Sequence, residues 1–221
     1  MTWVKICGIT NLEDALVAVE AGADAVGFVF YEKSPRNMQP ERVRQIVSQL
    51  PDGIEKIGVL VNETEDHICA IADNAGLTAV QMHGDREDPR VADLVVKKRK
   101  LKILVGFSMQ QPVPEGWATM WAPENVHAFL ADSGDSAKLG GTGKSFDWTS
   151  SIKTLSTIKT RGKLVVAGGL TPKNVVQAMG ILHPWGVDVS SGVEAKPGKK
   201  DPEKVRAFIK AVREADKANS N

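Results

Sequence analysis

Short runs of apolar, often β-branched residues alternate with longer amphipathic stretches along the whole chain. Such alternation is expected of βα units around a parallel sheet, whose strands are covered on both faces and read as continuous apolar runs. The runs predict strands over Val4 to Cys7, Ala25 to Phe30, Lys56 to Val61, Ala79 to Gln81, Lys102 to Phe107, His127 to Asp132, Leu164 to Val166 and Gly186 to Val189. Eight strands is the number that closes a barrel. Their C-terminal ends recur at one βα unit apiece, a repeat of pattern without repeat of sequence. The expectation is an α/β fold, a single (β/α)8 TIM barrel occupying residues 1–221 as one domain.

Between the strands, Asn11 to Glu20 opens on a possible N-cap, carries Asp14 three residues later and stops at Gly22, while Pro40 to Leu50 begins with proline in a first turn. Thr64 to Asn74 and Pro202 to Ala215 follow the same grammar. The fifth interval does not. Gln110 to Asn125 holds three prolines and Gly116, which predicts an irregular connection in place of a fifth helix. Trp117 and Trp121 within it are expected to cover an open edge of the core rather than to serve chemistry. The small polar tail from Lys217 to Asn221 is expected to fray.

Composition narrows the choice of partner. With 28 basic and 27 acidic side chains the formal net charge is +1, so no global field steers the protein toward nucleic acid or an anionic membrane. The run Lys97-Lys98-Arg99-Lys100 closes a predicted helix, where cations complement the dipole. The longest uncharged apolar run, Ala25 to Tyr31, is too short to span a bilayer, and no signal segment opens the chain. A cytoplasmic protein without membrane or nucleic-acid partners is expected. Two cysteines, Cys7 and Cys69, stand far apart and in no CxxC arrangement, which argues against a disulfide framework and a zinc site.

In a barrel the residues just after each strand gather at one mouth. Four segments occupy such positions: Lys5 to Thr10, Ser34 to Arg36, Gln81 to Gly84 and Leu130 to Ser133. Three Gly- or Ser-rich stretches, Gly140 to Ser145, Ala167 to Leu170 and Ser190 to Glu194, follow the sixth, seventh and eighth strands. Glycines alone would signal only tight βα turns. The last two lie where barrels bind phosphate through backbone amides, so Gly168, Gly169, Ser190, Ser191 and Gly192 are candidate phosphate ligands. Gly140 to Ser145 looks like a nucleotide P-loop, but the motif requires glycine where Lys138 stands, which excludes it.

Taken in order, these segments resemble the phosphoribosylanthranilate isomerases of tryptophan biosynthesis. The resemblance rests on Lys5-Ile6-Cys7-Gly8-Ile9-Thr10, Gly27 to Phe30 with Ser34-Pro35-Arg36, Gln81-Met82-His83-Gly84, the Asp132 segment, Gly140 to Trp148, Ala167 to Leu170, and Val187 to Glu194 followed by Pro197 to Asp201. It covers essentially the whole chain. Met82, Ala131 and the tryptophan-rich loop after the fifth strand depart from the usual pattern, as changes of volume rather than of functional groups.

The resemblance implies an Amadori rearrangement of N-(5′-phosphoribosyl)anthranilate that needs no cofactor and no metal. It implies Cys7 as general base, Asp132 as general acid and Arg36 as the residue facing the anthranilate end of the substrate. For these roles the Cys7 thiol should be lowered by nearby positive charge, and the Asp132 carboxyl raised by burial or a neighbouring anion. The bland alternatives are a core thiol, a loop or capping acid and a surface ion pair. His83 has no evident part in this chemistry. Cys69 belongs to a helix face, and His67, His127 and His183 lack a ligand arrangement. Two rivals remain. One is the related phosphoribosyl-sugar isomerase of histidine biosynthesis, which would use an aspartate where Cys7 stands; the other is a silent phosphate-binding barrel. Sequence leaves monomer and homodimer equally open.

Overall fold

A computed structural model describes residues 1–84, 88–134 and 145–218. Eight parallel strands close in sequence order into a barrel: β1 (Trp3–Cys7), β2 (Ala25–Phe30), β3 (Glu55–Val61), β4 (Ala79–His83), β5 (Lys102–Ser108), β6 (Ala128–Asp132), β7 (Lys163–Val166) and β8 (Gly186–Val189). Each overlaps a strand expected from sequence, with ends displaced by a residue or two. The helices are α1 (Leu12–Glu20), α2 (Pro40–Val47), α3 (Glu65–Ala75), α4 (Pro89–Arg99), α5 (Trp148–Lys159), α6 (Val175–Leu182) and α7 (Pro202–Ala218). Lys217 and Ala218 thus continue the last helix, and the rest of the expected tail lies outside the described residues.

Local signals account for the helix ends. Asn11 caps α1 by accepting from the Asp14 amide, Thr64 caps α3 through the His67 amide, and Gly76 ends α3 in the left-handed region at φ 72°. Lys97, Lys98 and Arg99 form the last turn of α4, where Lys98 pairs with Asp66 and Arg99 with Asp73 of α3. Two cations of the basic run are therefore committed to a neighbouring helix.

Strand periodicity divides the apolar residues into two cores. Val4, Ile6, Val26, Phe28, Val80, Met82, Ile103, Val105, Phe129, Val187 and Val189 face outward and pack under the helices. Trp3, Ala25, Ile57, Ala79, Leu104, Ala128, Leu130 and Val165 fill the lower interior, with Trp3 stacked on Trp185 at 5.1 Å. The same alternation carries Lys5 and Cys7, Gln81 and His83, Asp132, and Asp188 to the inner face above that plug.

No α-helix lies between β5 and β6 among the described residues. A single 3-10 turn, Trp117–Met120, takes its place, as the prolines require. Trp117 packs on Phe107, Trp121 and Phe129, and Trp121 is 2% exposed. A short hairpin of β9 (Glu194–Lys196) and β10 (Lys199–Lys200), turning at Gly198, was not expected. Pro197-Gly198 was its visible turn signal.

Because Trp121 substitutes for a missing helix, Trp121→Ala should cost about 3–5 kcal/mol in urea unfolding and Trp121→Phe markedly less. A loss below about 1 kcal/mol for the alanine variant would show that the loop, not the tryptophan, closes this edge.

Candidate active site

Above the apolar plug the barrel opens into a cavity of about 710 Å³, a volume that includes the open solvent of its mouth. Its lining brings together Cys7 from β1, Ser34 and Arg36 from the loop after β2, and Gln81 and His83 from β4. Asp132 from β6, Gly168 and Gly169 after β7, and Ser190, Ser191 and Gly192 after β8 complete it. Every candidate site residue named from sequence therefore faces one cavity. Of the Gly140 to Ser145 stretch, all but Ser145 lies outside the described residues.

The floor of the cavity is ionic. Lys5 is 0% exposed and donates to Asp188 Oδ2 at 2.9 Å and to Gln81 Oε1 at 2.7 Å. Burial is the largest single influence and works to strip the Lys5 proton, but the charges and hydrogen bonds of Asp188 and Cys7 together exceed it and hold the ammonium above its ordinary range. Cys7, buried at 8% exposure, stands two residues further along β1 on the same face. Burial pushes its thiol above the ordinary range, against the opposing charges of Lys5 and Lys200. The lowered thiol expected from sequence is thus not what the site presents, because desolvation exceeds the attraction of the cations.

Arg36 does not wait alone for a ligand. Its Nε donates to Glu194 Oε1 at 2.8 Å and its Nη2 to Glu194 Oε2 at 2.6 Å, a bidentate pair buried against the cavity wall. Lys200 Nζ adds a bond to Glu194 Oε1 at 3.0 Å and one to the Ser190 carbonyl at 3.2 Å. Burial works to raise the Glu194 carboxyl, yet the hydrogen bonds from Arg36 and the charge of Lys200 bring it below the usual range. The surface ion pair weighed as a bland alternative is therefore a buried one.

Asp132 accepts from the Gly134 amide at 2.9 Å, and its charge acts on His83 and Asp188. Burial lowers the His83 imidazole, favouring its neutral form. His83 Nδ1, Asp188 Oδ1 and Ser190 Oγ are buried without hydrogen-bond partners among the described residues, and all three residues line the cavity. His83 Nδ1 is packed against Gly106 and Ser190 Oγ against Gly8, so these atoms are enclosed by the protein itself. After β8 the chain turns through a 3-10 segment, Ser191–Val193. A side chain at Gly192 would sit 1.8 Å from the Leu170 carbonyl oxygen, so only glycine lets these two loops approach.

Sequence reasoning missed the roles of Lys5, Asp188, Glu194 and Lys200. A charged residue inside each predicted strand, Lys5 and Asp188, was the available signal; nothing local announced that Glu194 would reach Arg36. Among the described residues no group of three or more His, Cys, Asp or Glu side chains is placed to hold a metal ion, and no helix is long and apolar enough to cross a membrane.

A family model described as N-(5′-phosphoribosyl)anthranilate (PRA) isomerase matches residues 4–211. The N-(5′-phosphoribosyl)anthranilate isomerase of Citrifermentans bemidjiense is 47% identical over 209 residues, 95% of this chain and 96% of that protein. A crystal structure of monomers of the dimeric phosphoribosylanthranilate isomerase from Thermotoga maritima superposes with TM-score 0.79 at 39% identity, covering 97% of this chain and all of that one. A phosphoribosylanthranilate isomerase in complex with reduced 1-(o-carboxyphenylamino)-1-deoxyribulose 5-phosphate gives the same TM-score, identity and coverage.

The depressed Glu194 carboxyl fixes the sign of a pH effect. Its stabilising contribution is complete above the ordinary carboxylate value and disappears as pH falls through its lower folded value. Urea midpoints of the unmodified protein and Glu194→Gln should therefore differ at neutral pH and converge in acid. A gap independent of pH would unlink Glu194 ionisation from folding.

Proposed function

The chain belongs to the N-(5′-phosphoribosyl)anthranilate isomerase family, and on that footing we propose that Cys7 is its general base and Asp132 its general acid. The protein is an isomerase of tryptophan biosynthesis. It converts N-(5′-phosphoribosyl)anthranilate into 1-(2-carboxyphenylamino)-1-deoxy-D-ribulose 5-phosphate by an Amadori rearrangement. The observation that supports the residue assignment is that a thiol and a carboxylic acid from different strands face one cavity that also presents the Gly168, Gly169, Ser191 and Gly192 backbone.

In the proposed sequence Asp132 gives its proton to the furanose ring oxygen as the C1–O bond breaks, leaving an open-chain Schiff base. The Cys7 thiolate then removes the C2 proton, and the electron pair moves toward nitrogen to form an enolamine. Tautomerisation gives the ketone. The rearrangement is redox-neutral, so acid, base and positioning suffice, and no cofactor enters the scheme.

Binding follows the polarity of the cavity. Amides of Gly168, Gly169, Ser191 and Gly192, with Ser190 beside them, receive the phosphate. Arg36 uses two of its nitrogens on Glu194 and turns its remaining edge to the anthranilate carboxylate. We place the protein in the cytoplasm, acting on this small molecule as a monomer or homodimer without nucleic-acid or membrane partners; the dimeric Thermotoga maritima relative makes both states reasonable.

Cys7→Ser and Asp132→Asn should each fold normally and lose about 10²–10⁴-fold in kcat/KM, followed as loss of anthranilate fluorescence against spontaneous decay. Full activity in either variant would remove that residue from the acid-base pair. Arg36→Met should weaken substrate turnover while leaving inorganic-phosphate binding nearly intact. Equal loss of both would move Arg36 to the phosphate end.

A further inference from the structure

Two residues apart on one strand, Lys5 and Cys7 project to the same inner face, and a third residue fixes how closely they approach. A Cβ built on Gly27 would lie 2.8 Å from the Cys7 sulfur and 2.9 Å from Lys5 Cε. The thiol and the end of the lysine stem therefore bracket one point, and any larger residue on β2 would drive them apart. The Lys5 ammonium itself is fixed by Asp188 and Gln81, so its charge cannot swing away.

From this arrangement we propose that Lys5 is a positioning residue whose ammonium, locked beneath Cys7, stabilises the thiolate that the reaction requires. The proposal rests on Cys7 as the base but makes a claim about its ionisation that can be read separately. Other charged groups reach Cys7 as well. Lys200 from β10 and Arg36 from the loop after β2 are cations, but both are bound to Glu194, which offsets their charge. Asp188 from β8 opposes the thiolate, with His83 of β4 and Asp132 of β6 facing Asp188 and Lys5 from beyond. Burial alone drives the thiol toward its neutral form, and Lys5 is the strongest influence in the other direction. Without that charge, Cys7 would be the inert buried thiol that its environment otherwise makes it.

The test uses full-length protein in a Cys69→Ala background, so that Cys7 is the sole thiol. The pH dependence of thiolate absorbance and of iodoacetamide alkylation reports its ionisation directly. Lys5→Met should raise the midpoint by about 1–3 pH units, the span expected for loss of one close opposite charge. Alkylation at neutral pH should slow by about tenfold or more, and the rising limb of kcat/KM should move upward with it. Lys5→Met leaves Asp188 buried without its cation and can fail to fold for that reason alone. The double variant Lys5→Met/Asp188→Asn removes both charges, and its midpoint should still rise because the attraction lost exceeds the repulsion lost. An unchanged or lowered midpoint in either folded variant overturns the proposal. If the midpoint rises yet Cys7→Ser retains activity, the coupling stands and only the base assignment fails.

Discussion

A lysine ammonium at zero exposure in the centre of a barrel has to be paired, because an isolated buried charge costs several kcal/mol even after the surroundings relax. Lys5 meets that requirement with Asp188, its register partner on β8, and with Gln81 from β4, three strands around the barrel. The pair and its amide form a polar layer across an otherwise apolar interior. Below it lie Trp3, Ile57, Leu104, Leu130 and Val165; above it lie Cys7, His83 and Asp132. Cys7, His83 and Asp132 thus stand on a floor that is buried and charged.

The mouth repeats the device with the signs arranged differently. One carboxylate, Glu194, receives two bonds from Arg36 and one from Lys200. The β9–β10 hairpin brings Lys200 there, and its backbone amide donates to Asp14 of α1 at 2.7 Å. Holding Arg36 in this way removes most of its rotamer freedom, so the contact proposed for it would form at small entropic cost. A guanidinium fork aimed in advance suits a planar carboxylate better than a swinging lysine would.

Strand number, strand faces and the irregular fifth connection were legible because they depend on local signals: β-branched runs, a period of two, and three prolines in one loop. Cys7, Arg36, Asp132 and the late glycines could be named because they belong to contiguous motifs at strand ends. Glu194 was visible as a residue but not as the partner of Arg36, since 158 positions separate them and only barrel closure brings them together. Lys5 and Asp188 are separated by 183 positions for the same reason. The raised Cys7 thiol was illegible for another cause. Sequence displayed the adjacent lysine but not the depth of burial, and here burial is the larger influence.

Burial of the base also answers to the substrate. A phosphoribosylated anthranilate carries a phosphate and a carboxylate, and both add negative charge to a cavity where a thiolate must form. Each anion would raise the Cys7 thiol further unless it is met by positive charge or oriented amides at its own end of the site. The proposed layout separates these demands: the turns after β7 and β8 would take the phosphate, and Arg36 in the loop after β2 would take the carboxylate. On the proposal above, Lys5, at zero exposure in the floor, keeps its charge for Cys7 and Asp188. A cation placed at the mouth would be neutralised by the ligand at the moment the base is needed. One buried beneath the thiol is not, which gives a physical reason for carrying an otherwise costly buried ion pair at the centre of the barrel.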